Sequence, residues 1–285
     1  MIFNRLFLFL IFSFFLSACG GGSSLPDTLA SLKVGEVNTA IVNSASRGDV
    51  NLEVYLPPSW KKTGDSYPVI FFLHGSGGNE KGFFNNVDYQ QLNDWIKQGE
   101  LPPFVLIAIA SHRLSGVEQQ WSTAANETFF TSLAKKELRA FSLENFNAGD
   151  LSEKSSKVSI HGHSRGAHGA LHYAFKFPDK FTSAVADAFV SDYALAEEQA
   201  NALQNKNAII NSDIKIRMSV GDKDGFESFR HASLILHNYL NEIAIPHEYE
   251  VLAETGHSFY SLWNSETAST KINGLYELKL HAESW

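Results

Sequence analysis

The stretch KVSIHGHSRGAHGAL at residues 157–171 places a Gly-x-Ser-x-Gly motif between a short strand-like run and a helix-like segment. In this setting the serine stands in a strained turn at the strand end, and a side chain on either glycine would collide with neighbouring backbone. The turn also puts Ser164 at the N-terminus of the next helix, whose amides and dipole stabilise negative charge. The motif predicts a nucleophilic serine. The alternative is a glycine-rich turn without chemistry.

A second glycine-rich loop, His74-Gly75-Ser76-Gly77-Gly78, follows the apolar run Val69–Leu73. Such a loop lets backbone N–H groups approach a tetrahedral oxyanion without obstruction by side chains. We therefore predict that the backbone N–H groups of Ser76 and Arg165 form an oxyanion hole. A phosphate-cradling loop fits poorly, because no Lys-Ser or Lys-Thr pair follows.

Candidates for an acid that would orient a catalytic base lie in the segment Gly221-Asp222-Lys223-Asp224-Gly225, which follows a strand-like run. Asp224 is preferred, because one further residue of turn carries its carboxylate clear of the strand end. Asp222 is the alternative, and Asp187 and Asp192 are less favoured.

The candidate base is His257, in the segment Thr255-Gly256-His257-Ser258-Phe259. It lies in a loop beyond the last strand-like run, from which an imidazole can reach the serine hydroxyl. The chain order Ser, Asp, His is the one that a nucleophile elbow of this kind requires.

Four further histidines, His161, His163, His168 and His172, stand close to the candidate nucleophile in sequence. The first two flank a sharp turn and the last two lie one turn apart on a helix, so the four need not converge. The sequence shows no carboxylate-rich shell around them. We predict neither a metal site nor an organic cofactor.

Strand-like and helix-like segments alternate from about Val50 onward. The predicted strands cover residues 50–56, 68–73, 104–110, 157–160, 182–190, 214–220 and 248–252, and the predicted helices cover 90–98, 125–141, 167–177 and 228–243. Residues 192–211 are either a helical excursion over the active site or a plain connecting helix. Short, continuous apolar runs are typical of strands buried on both faces of a parallel sheet. The pattern predicts an α/β-hydrolase fold, with a mostly parallel central sheet and helices on both faces.

The N-terminus has the features of a lipoprotein signal peptide at residues 1–18. Its apolar run is too short to span a bilayer as a mature helix. The segment Leu16-Ser17-Ala18-Cys19 resembles the lipobox of bacterial lipoproteins, and Cys19 is the only cysteine in the chain. An ordinary signal peptide with an incidental cysteine is the alternative.

From this we expect a lipid anchor on Cys19, a flexible tether over residues 19–45 and one folded domain over residues 46–285. Gly20 after the cysteine favours the outer membrane of a bacterial cell envelope. The formal net charge of −8 argues against nucleic acid or an anionic membrane surface as a partner.

Residues 162–171 resemble the G-H-S-M-G-G-H-G-A-L block of the esterase D family. That family includes S-formylglutathione hydrolases, feruloyl and acetyl-xylan esterases, siderophore esterases and mycolyl transferases. The resemblance continues in residues 176–181 and in the pair Glu137-Leu138, and it extends from about residue 50 to residue 263. The spacing from Gly221 to Asp224 matches the Gly-x-x-Asp of the family and so supports Asp224 as the acid.

Two residues that follow the serine depart from the family block: Arg165, directly beside it, replaces a methionine, and Ala167 replaces a glycine. The arginine is expected to place a charge near the acyl pocket, so the substrate of a particular family member does not transfer to this chain.

The resemblance implies a carboxylic ester hydrolase that acts on a small-molecule or oligosaccharide-linked ester. Ser164 would attack the ester carbonyl after His257 takes its proton, Asp224 would orient His257, and water would cleave the acyl-enzyme. An acyltransferase would use the same residues with an alcohol acceptor, and a serine peptidase shares the triad. A non-catalytic surface lipoprotein that kept the fold for binding is the rival from another class.

Overall fold

The computed structural model describes residues 32–189, 192–269 and 271–285. The strands in these ranges are β1 (Val37–Ser44), β2 (Gly48–Tyr55), β3 (Val69–Leu73), β4 (Val105–Ile109), β5 (Arg113–Leu114), β6 (Val117–Glu118), β7 (Val158–His163), β8 (Ser183–Asp187), β9 (Lys215–Gly221) and β10 (Glu248–Leu252). The helices are α1 (Tyr89–Lys97), α2 (Ala124–Thr131), α3 (Leu138–Phe146), α4 (Arg165–Lys176), α5 (Asp192–Gln204), α6 (Lys206–Ser212), α7 (Glu227–Glu242), α8 (Phe259–Asn264) and α9 (Asn273–Ala282).

Eight of the strands form one sheet in the order β1-β2-β4-β3-β7-β8-β9-β10. The pairs β1–β2 and β2–β4 are antiparallel, and every neighbouring pair from β4 to β10 is parallel. The predicted mostly parallel sheet is therefore confirmed. Because parallel strands end at the same edge, the loops after β3, β7, β9 and β10 all emerge there.

Apolar side chains pack against both faces of the sheet. Neighbouring residues of β3 point to opposite faces, so Phe71 joins the core cluster of Ile160 and Leu171, whereas Phe72 joins the cluster of Trp95 and Trp263. All residues of β3, β4 and β8 are buried. This burial on two sides explains the continuous apolar runs of β3 and β4.

The start of the folded domain differs from the prediction. Residues 37–44, which the sequence assigned to the tether, form β1 and pair along their whole length with β2. Alternate side chains of β1 are buried against the sheet, among them Ala40 and Val42. The predicted boundary at residue 46 is therefore wrong, because this edge strand is part of the sheet.

Two helical predictions also need correction. The predicted helix over residues 125–141 is two helices, α2 and α3, and Lys136 between them has a left-handed φ of 72°. Residues 192–211 lie in α5 and α6 rather than in one helix. Helices α8 and α9 were not predicted; they pack so closely that a Cβ atom on Gly274 would stand 2.3 Å from the Trp263 ring.

The predicted signal peptide, Cys19 and the first part of the predicted tether lie outside the described residues. Within the described ranges, no helix combines the length and the apolar character that a bilayer span requires.

Candidate active site

Ser164 occupies a strained turn between β7 and α4. Its backbone has φ 56° and ψ −117°, a conformation that L-residues rarely adopt. Glycine is needed on both sides, since a Cβ on Gly162 would stand 1.9 Å from the Gly166 carbonyl oxygen and one on Gly166 would stand 1.9 Å from the Leu73 carbonyl oxygen. This is the geometry of a nucleophile elbow, which lifts the serine hydroxyl above the sheet edge.

His257 stands between the serine and an aspartate. Its Nε2 lies 3.1 Å from Ser164 Oγ, and its Nδ1 lies 2.7 Å from Asp224 Oδ2. Asp224 is buried, and its second carboxylate oxygen accepts a hydrogen bond of 2.9 Å from the Phe226 backbone N–H. Both distances at His257 are within the range of a nucleophile, a base and an orienting acid. The structure thus brings together the three residues that the sequence predicted.

The loops that carry Asp224 and His257 touch each other directly. A Cβ on Gly221 would stand 2.0 Å from the Thr255 carbonyl oxygen, and the Lys223 N–H donates to that same oxygen at 2.9 Å. This contact fixes the spacing between the acid and the base from two neighbouring parallel strands.

The other candidate acids face elsewhere. Asp222 Oδ1 accepts only a long hydrogen bond of 3.3 Å from the Thr255 N–H, and its side chain ion-pairs with Lys223. Asp187 is fully buried between His161 Nε2, at 3.0 Å, and the Ser219 hydroxyl, at 2.5 Å. The structure does not describe the Asp192 side chain. Among the aspartates that it describes, Asp224 is the one placed at His257.

His163 supports the base loop, a role that the sequence analysis did not assign. Its Nε2 lies 2.7 Å from the His257 carbonyl oxygen, so the neutral ring donates an N–H to that oxygen. Burial lowers the pKa of His163 to about 4 and keeps the ring neutral. The position before the nucleophile was visible in the motif, but its partner lies 94 residues away and had no local signal.

The loop after β3 is held in place through His74. The Ser111 N–H donates to His74 Nε2 at 3.1 Å, which leaves the proton on Nδ1 for a 2.7 Å hydrogen bond to the Gly75 carbonyl oxygen. Burial lowers the pKa of His74 to about 4, in keeping with this neutral tautomer. A Cβ on Gly75 would stand 3.1 Å from Ser164 Cβ, so the loop backbone passes directly beside the nucleophile.

The two predicted oxyanion donors lie on different elements that border the cavity and the nucleophile. Ser76 lines the cavity over Ser164. Arg165 is the first residue of α4, where backbone N–H groups have no acceptor within the helix. A developing oxyanion beside Ser164 would therefore meet an amide and the positive end of a helix dipole.

The sequence predicted a charge near the acyl pocket at Arg165, and in the structure that charge is paired. The Arg165 side chain forms a buried ion pair with Glu118, which belongs to the β5–β6 hairpin. The second carboxylate oxygen of Glu118 accepts a 3.0 Å hydrogen bond from the Gly77 N–H. One carboxylate therefore neutralises the arginine and ties the hairpin to the loop of Ser76.

A cavity of about 550 Å³ opens over Ser164 and His257. Aromatic side chains form much of its wall: Phe72, Phe226, Phe229 and Phe259. The rings of Phe226 and Phe229 are stacked with centroids 4.8 Å apart, and the Phe226 side chain is about half exposed (53%). The space beside the nucleophile suits an apolar or aromatic group.

The four histidines near the serine separate into different environments. His161 pairs with Asp187 below the sheet edge, while His168 and His172 both lie within 3.2 Å of Glu198 Oε1. The expectation that no carboxylate shell accompanies them is wrong, since two buried carboxylates lie at His161 and carboxylates from α2 and α5 reach His168 and His172. These carboxylates lie far from the histidines in sequence, so no local motif indicated the contacts.

A known protein family matches most of the chain. A family model described as "Putative esterase" matches residues 44–271. No curated protein matches the chain.

Solved structures share the fold at low sequence identity. A ferulic acid esterase superposes with a TM-score of 0.69 at 16% identity, covering 88% of this chain and 98% of its own. A ferulic acid esterase from Anaeromyces mucronatus, in complex with ferulic acid, gives 0.64 at 15% identity and covers 90% and 95%. An S-formylglutathione hydrolase from Agrobacterium tumefaciens gives 0.60 at 19% identity and covers 89% and 97%.

Proposed function

The chain belongs to this esterase family and is a carboxylic ester hydrolase, and on that premise we propose that it works through a Ser164-His257-Asp224 triad and an acyl-enzyme. The observation that carries the proposal is the pair of hydrogen bonds at His257, 3.1 Å to Ser164 Oγ and 2.7 Å to Asp224 Oδ2. Nδ1–H of His257 donates to the buried carboxylate, which leaves the Nε2 lone pair directed at the serine hydroxyl.

In the first half of the reaction, Ser164 Oγ attacks the ester carbonyl carbon while its proton passes to His257 Nε2. The backbone N–H groups of Ser76 and Arg165 stabilise the oxyanion that forms. The carbon–oxygen bond to the alcohol then breaks, and the imidazolium returns its proton to the departing alkoxide. Asp224 stabilises the imidazolium while it exists.

In the second half, water attacks the acyl-enzyme and gives its proton to His257 Nε2. The second tetrahedral intermediate collapses with loss of Ser164 Oγ, which recovers the proton. The products are a carboxylic acid and the free enzyme. Each half uses His257 first as a base and then as an acid, so one imidazole supports both.

The aromatic cavity beside Ser164 supports an apolar or aromatic acyl group as the substrate. Phe226 and Phe229 stack on one another, and both rings lie within 5.2 Å of the His257 ring, measured between centroids. Structures that share the fold include ferulic acid esterases, and ferulic acid is an aromatic acid. Methyl ferulate and p-nitrophenyl butyrate are therefore the two test substrates.

The test measures kcat/KM of the purified protein on both esters, beside Ser164→Ala. Loss of about 10⁶-fold in kcat is expected for the variant, since a triad without its nucleophile retains only binding and oxyanion stabilisation. A fluorophosphonate ester should label the parent protein on Ser164 and leave Ser164→Ala unlabelled. No turnover by the parent protein, or equal turnover by a folded Ser164→Ala, would refute the mechanism.

A lipid anchor on Cys19 is the second part of the proposal, supported by the signal-like residues 1–18 and the lipobox-like segment that ends at Cys19. The anchor would hold the enzyme on the cell envelope, with the outer membrane favoured by Gly20. Cells fed a radiolabelled palmitate should incorporate label into the protein, and Cys19→Ala should abolish both the label and partition into detergent. Label that persists in Cys19→Ala would rule out this site.

A further inference from the structure

His168 and His172 on α4 face Glu197 and Glu198 on α5, and a ligand atom of each lies within 4.8 Å of the others. Residues four apart on a helix lie on the same face, so both imidazoles are presented together. We propose that these four side chains bind one divalent transition-metal ion, with Zn²⁺ as the preferred ion.

Two of the four nitrogen–oxygen separations match the ligand spacing of a four-coordinate ion, and the other two are slightly shorter hydrogen-bond distances. His168 Nε2 lies 3.0 Å from Glu198 Oε1 and 3.6 Å from Glu197 Oε2, and His172 Nδ1 lies 3.2 Å and 3.6 Å from oxygens of the same two residues. Ligands held tetrahedrally at zinc bond lengths are about 3.3 to 3.6 Å apart. The two longer contacts exceed a normal hydrogen bond but match the edge of such a tetrahedron.

Both ring nitrogens of His172 face carboxylate oxygens, an arrangement in which a cation can lie between the side chains. Its Nε2 lies 2.8 Å from Glu127 Oε1, and that carboxylate also ion-pairs with Lys176. A neutral His172 that donates from Nε2 to Glu127 presents a lone pair at Nδ1, only 3.2 Å from the lone pairs of Glu198 Oε1. Two facing lone pairs repel unless a cation lies between them, either a metal ion or a proton carried on Nδ1.

The contact with Glu127 is also the usual support of a metal-binding histidine. Such a ligand donates its second ring N–H to a carboxylate or carbonyl, which fixes the ring and raises its basicity. Glu198 has comparable support, since the Asn201 side-chain amide donates to its Oε2 at 3.2 Å and leaves Oε1 toward the imidazoles.

Burial and charge are consistent with a bound ion. The side chains of His168, His172 and Glu198 are almost fully buried, whereas 42% of the Glu197 side chain is exposed and gives the ion a route from solvent. The two positive charges of one divalent ion balance the negative charges of the Glu197 and Glu198 carboxylates. Two imidazoles and two carboxylates form a set that suits Zn²⁺ and its transition-metal neighbours better than Ca²⁺ or Mg²⁺, which prefer oxygen ligands.

Such an ion would fasten α5 to α4, the helix that begins next to Ser164. Its expected effect is on stability, because a ligand that binds only the folded state raises the unfolding free energy. The site does not depend on the proposed triad, and Ser164→Ala should bind Zn²⁺ as the parent protein does.

The experiment titrates chelator-treated, full-length protein with ZnCl₂ by calorimetry and records the melting temperature at each step. One Zn²⁺ per chain and a rise in melting temperature are expected, and Co²⁺ in the same site should give the visible absorption bands of a four-coordinate ion. Failure of the parent protein to bind Zn²⁺ stoichiometrically would overturn the proposal and indicate a site held by protons.

Variants distinguish this site from adventitious binding. His172→Gln removes a ligand and should abolish stoichiometric binding. Glu127→Gln keeps all four ligands and should weaken binding about 10- to 100-fold, the usual effect of losing such a support. The control is His247→Gln, which breaks a different close imidazole pair, His237 with His247 at 2.8 Å, away from the proposed ligands, and should leave binding unchanged.

Zinc binding that disappears in His247→Gln and persists in His172→Gln would place the ion at the other pair and overturn the proposal. Should His172→Gln not fold, Glu127→Gln decides the matter, because unchanged affinity in that variant contradicts a site built on His172.

Discussion

Replacing Asp224 by asparagine should disable the base while leaving the fold intact. Asp224 is buried, and its Oδ1 accepts a 2.9 Å hydrogen bond from the Phe226 N–H. The asparagine must keep its carbonyl oxygen at that N–H, because its amide group would meet a donor there. Its NH₂ group then points at His257 Nδ1, where the carboxylate oxygen stood at 2.7 Å.

The consequence is a change of tautomer at His257. Nδ1 must accept from the new amide, so the ring proton moves to Nε2 and faces Ser164 Oγ, 3.1 Å away. An imidazole that donates to the serine cannot take its proton. In serine protease triads the same substitution lowers kcat by about 10⁴-fold, which corresponds to about 5 kcal/mol of transition-state stabilisation.

The assay compares kcat/KM of the parent protein, Asp224→Asn and Asp222→Asn on p-nitrophenyl butyrate, with circular dichroism to verify folding. Asp222 is the matched control, two residues earlier in the same loop, where its 3.3 Å hydrogen bond to the Thr255 N–H is weak. Its replacement should change kcat less than about threefold, as expected for a side chain outside the chemistry. A loss in Asp222→Asn that equals the loss in Asp224→Asn would refute the assignment of the acid.

Three further predictions concern stability. Gly162→Ala should lower the unfolding free energy by about 3 kcal/mol or more, because its Cβ would stand 1.9 Å from a carbonyl oxygen. The control in urea unfolding is Gly225→Ala, where a Cβ meets nothing within 4 Å. Similar losses of stability in the two variants would contradict the steric argument. Arg165→Met should lower the unfolding free energy by about 3 kcal/mol, because it leaves Glu118 buried without its partner. A double-mutant cycle with Glu118→Met should show a coupling energy of about 1 to 3 kcal/mol, and simply additive losses would contradict the pairing. Burial lowers the pKa of His163 to about 4 from 6.5, so the unfolded chain binds more protons there between these values. His163 should therefore contribute a loss of about 3 kcal/mol of unfolding free energy as the pH drops through that window, in addition to the loss from His74. Thermal denaturation at several pH values should show that His163→Gln loses less stability than the parent protein as the pH drops. An equal loss in the two proteins would exclude His163 as the cause.

The boundaries of the fold that sequence could not locate are those set by long-range contacts. Strand β1 alternates polar and apolar residues only weakly, and its assignment depends on pairing with β2. The break between α2 and α3 has no proline or glycine in residues 132–137 to mark it. Both features depend on how the chain packs against the rest of the sheet, so the local sequence pattern could not predict them.

The amino-acid sequence by itself determined the class of fold and the order of the site residues. Glycines on both sides of Ser164 reveal the turn, because only glycine tolerates the 1.9 Å approach of backbone there. Apolar runs reveal strands buried on two faces, and the residues after those strands must meet at one sheet edge.

Only the tertiary structure decided which side chains meet at that edge and what surrounds them. It directed Asp224 rather than Asp222 to His257, paired Arg165 with Glu118, and brought Glu198 to His168 and His172. The partners in each contact lie more than 25 residues apart, and side-chain direction within a loop depends on neighbouring backbone. Local sequence therefore identifies which groups could interact, but the distances that decide which partner each group contacts are set by the tertiary structure.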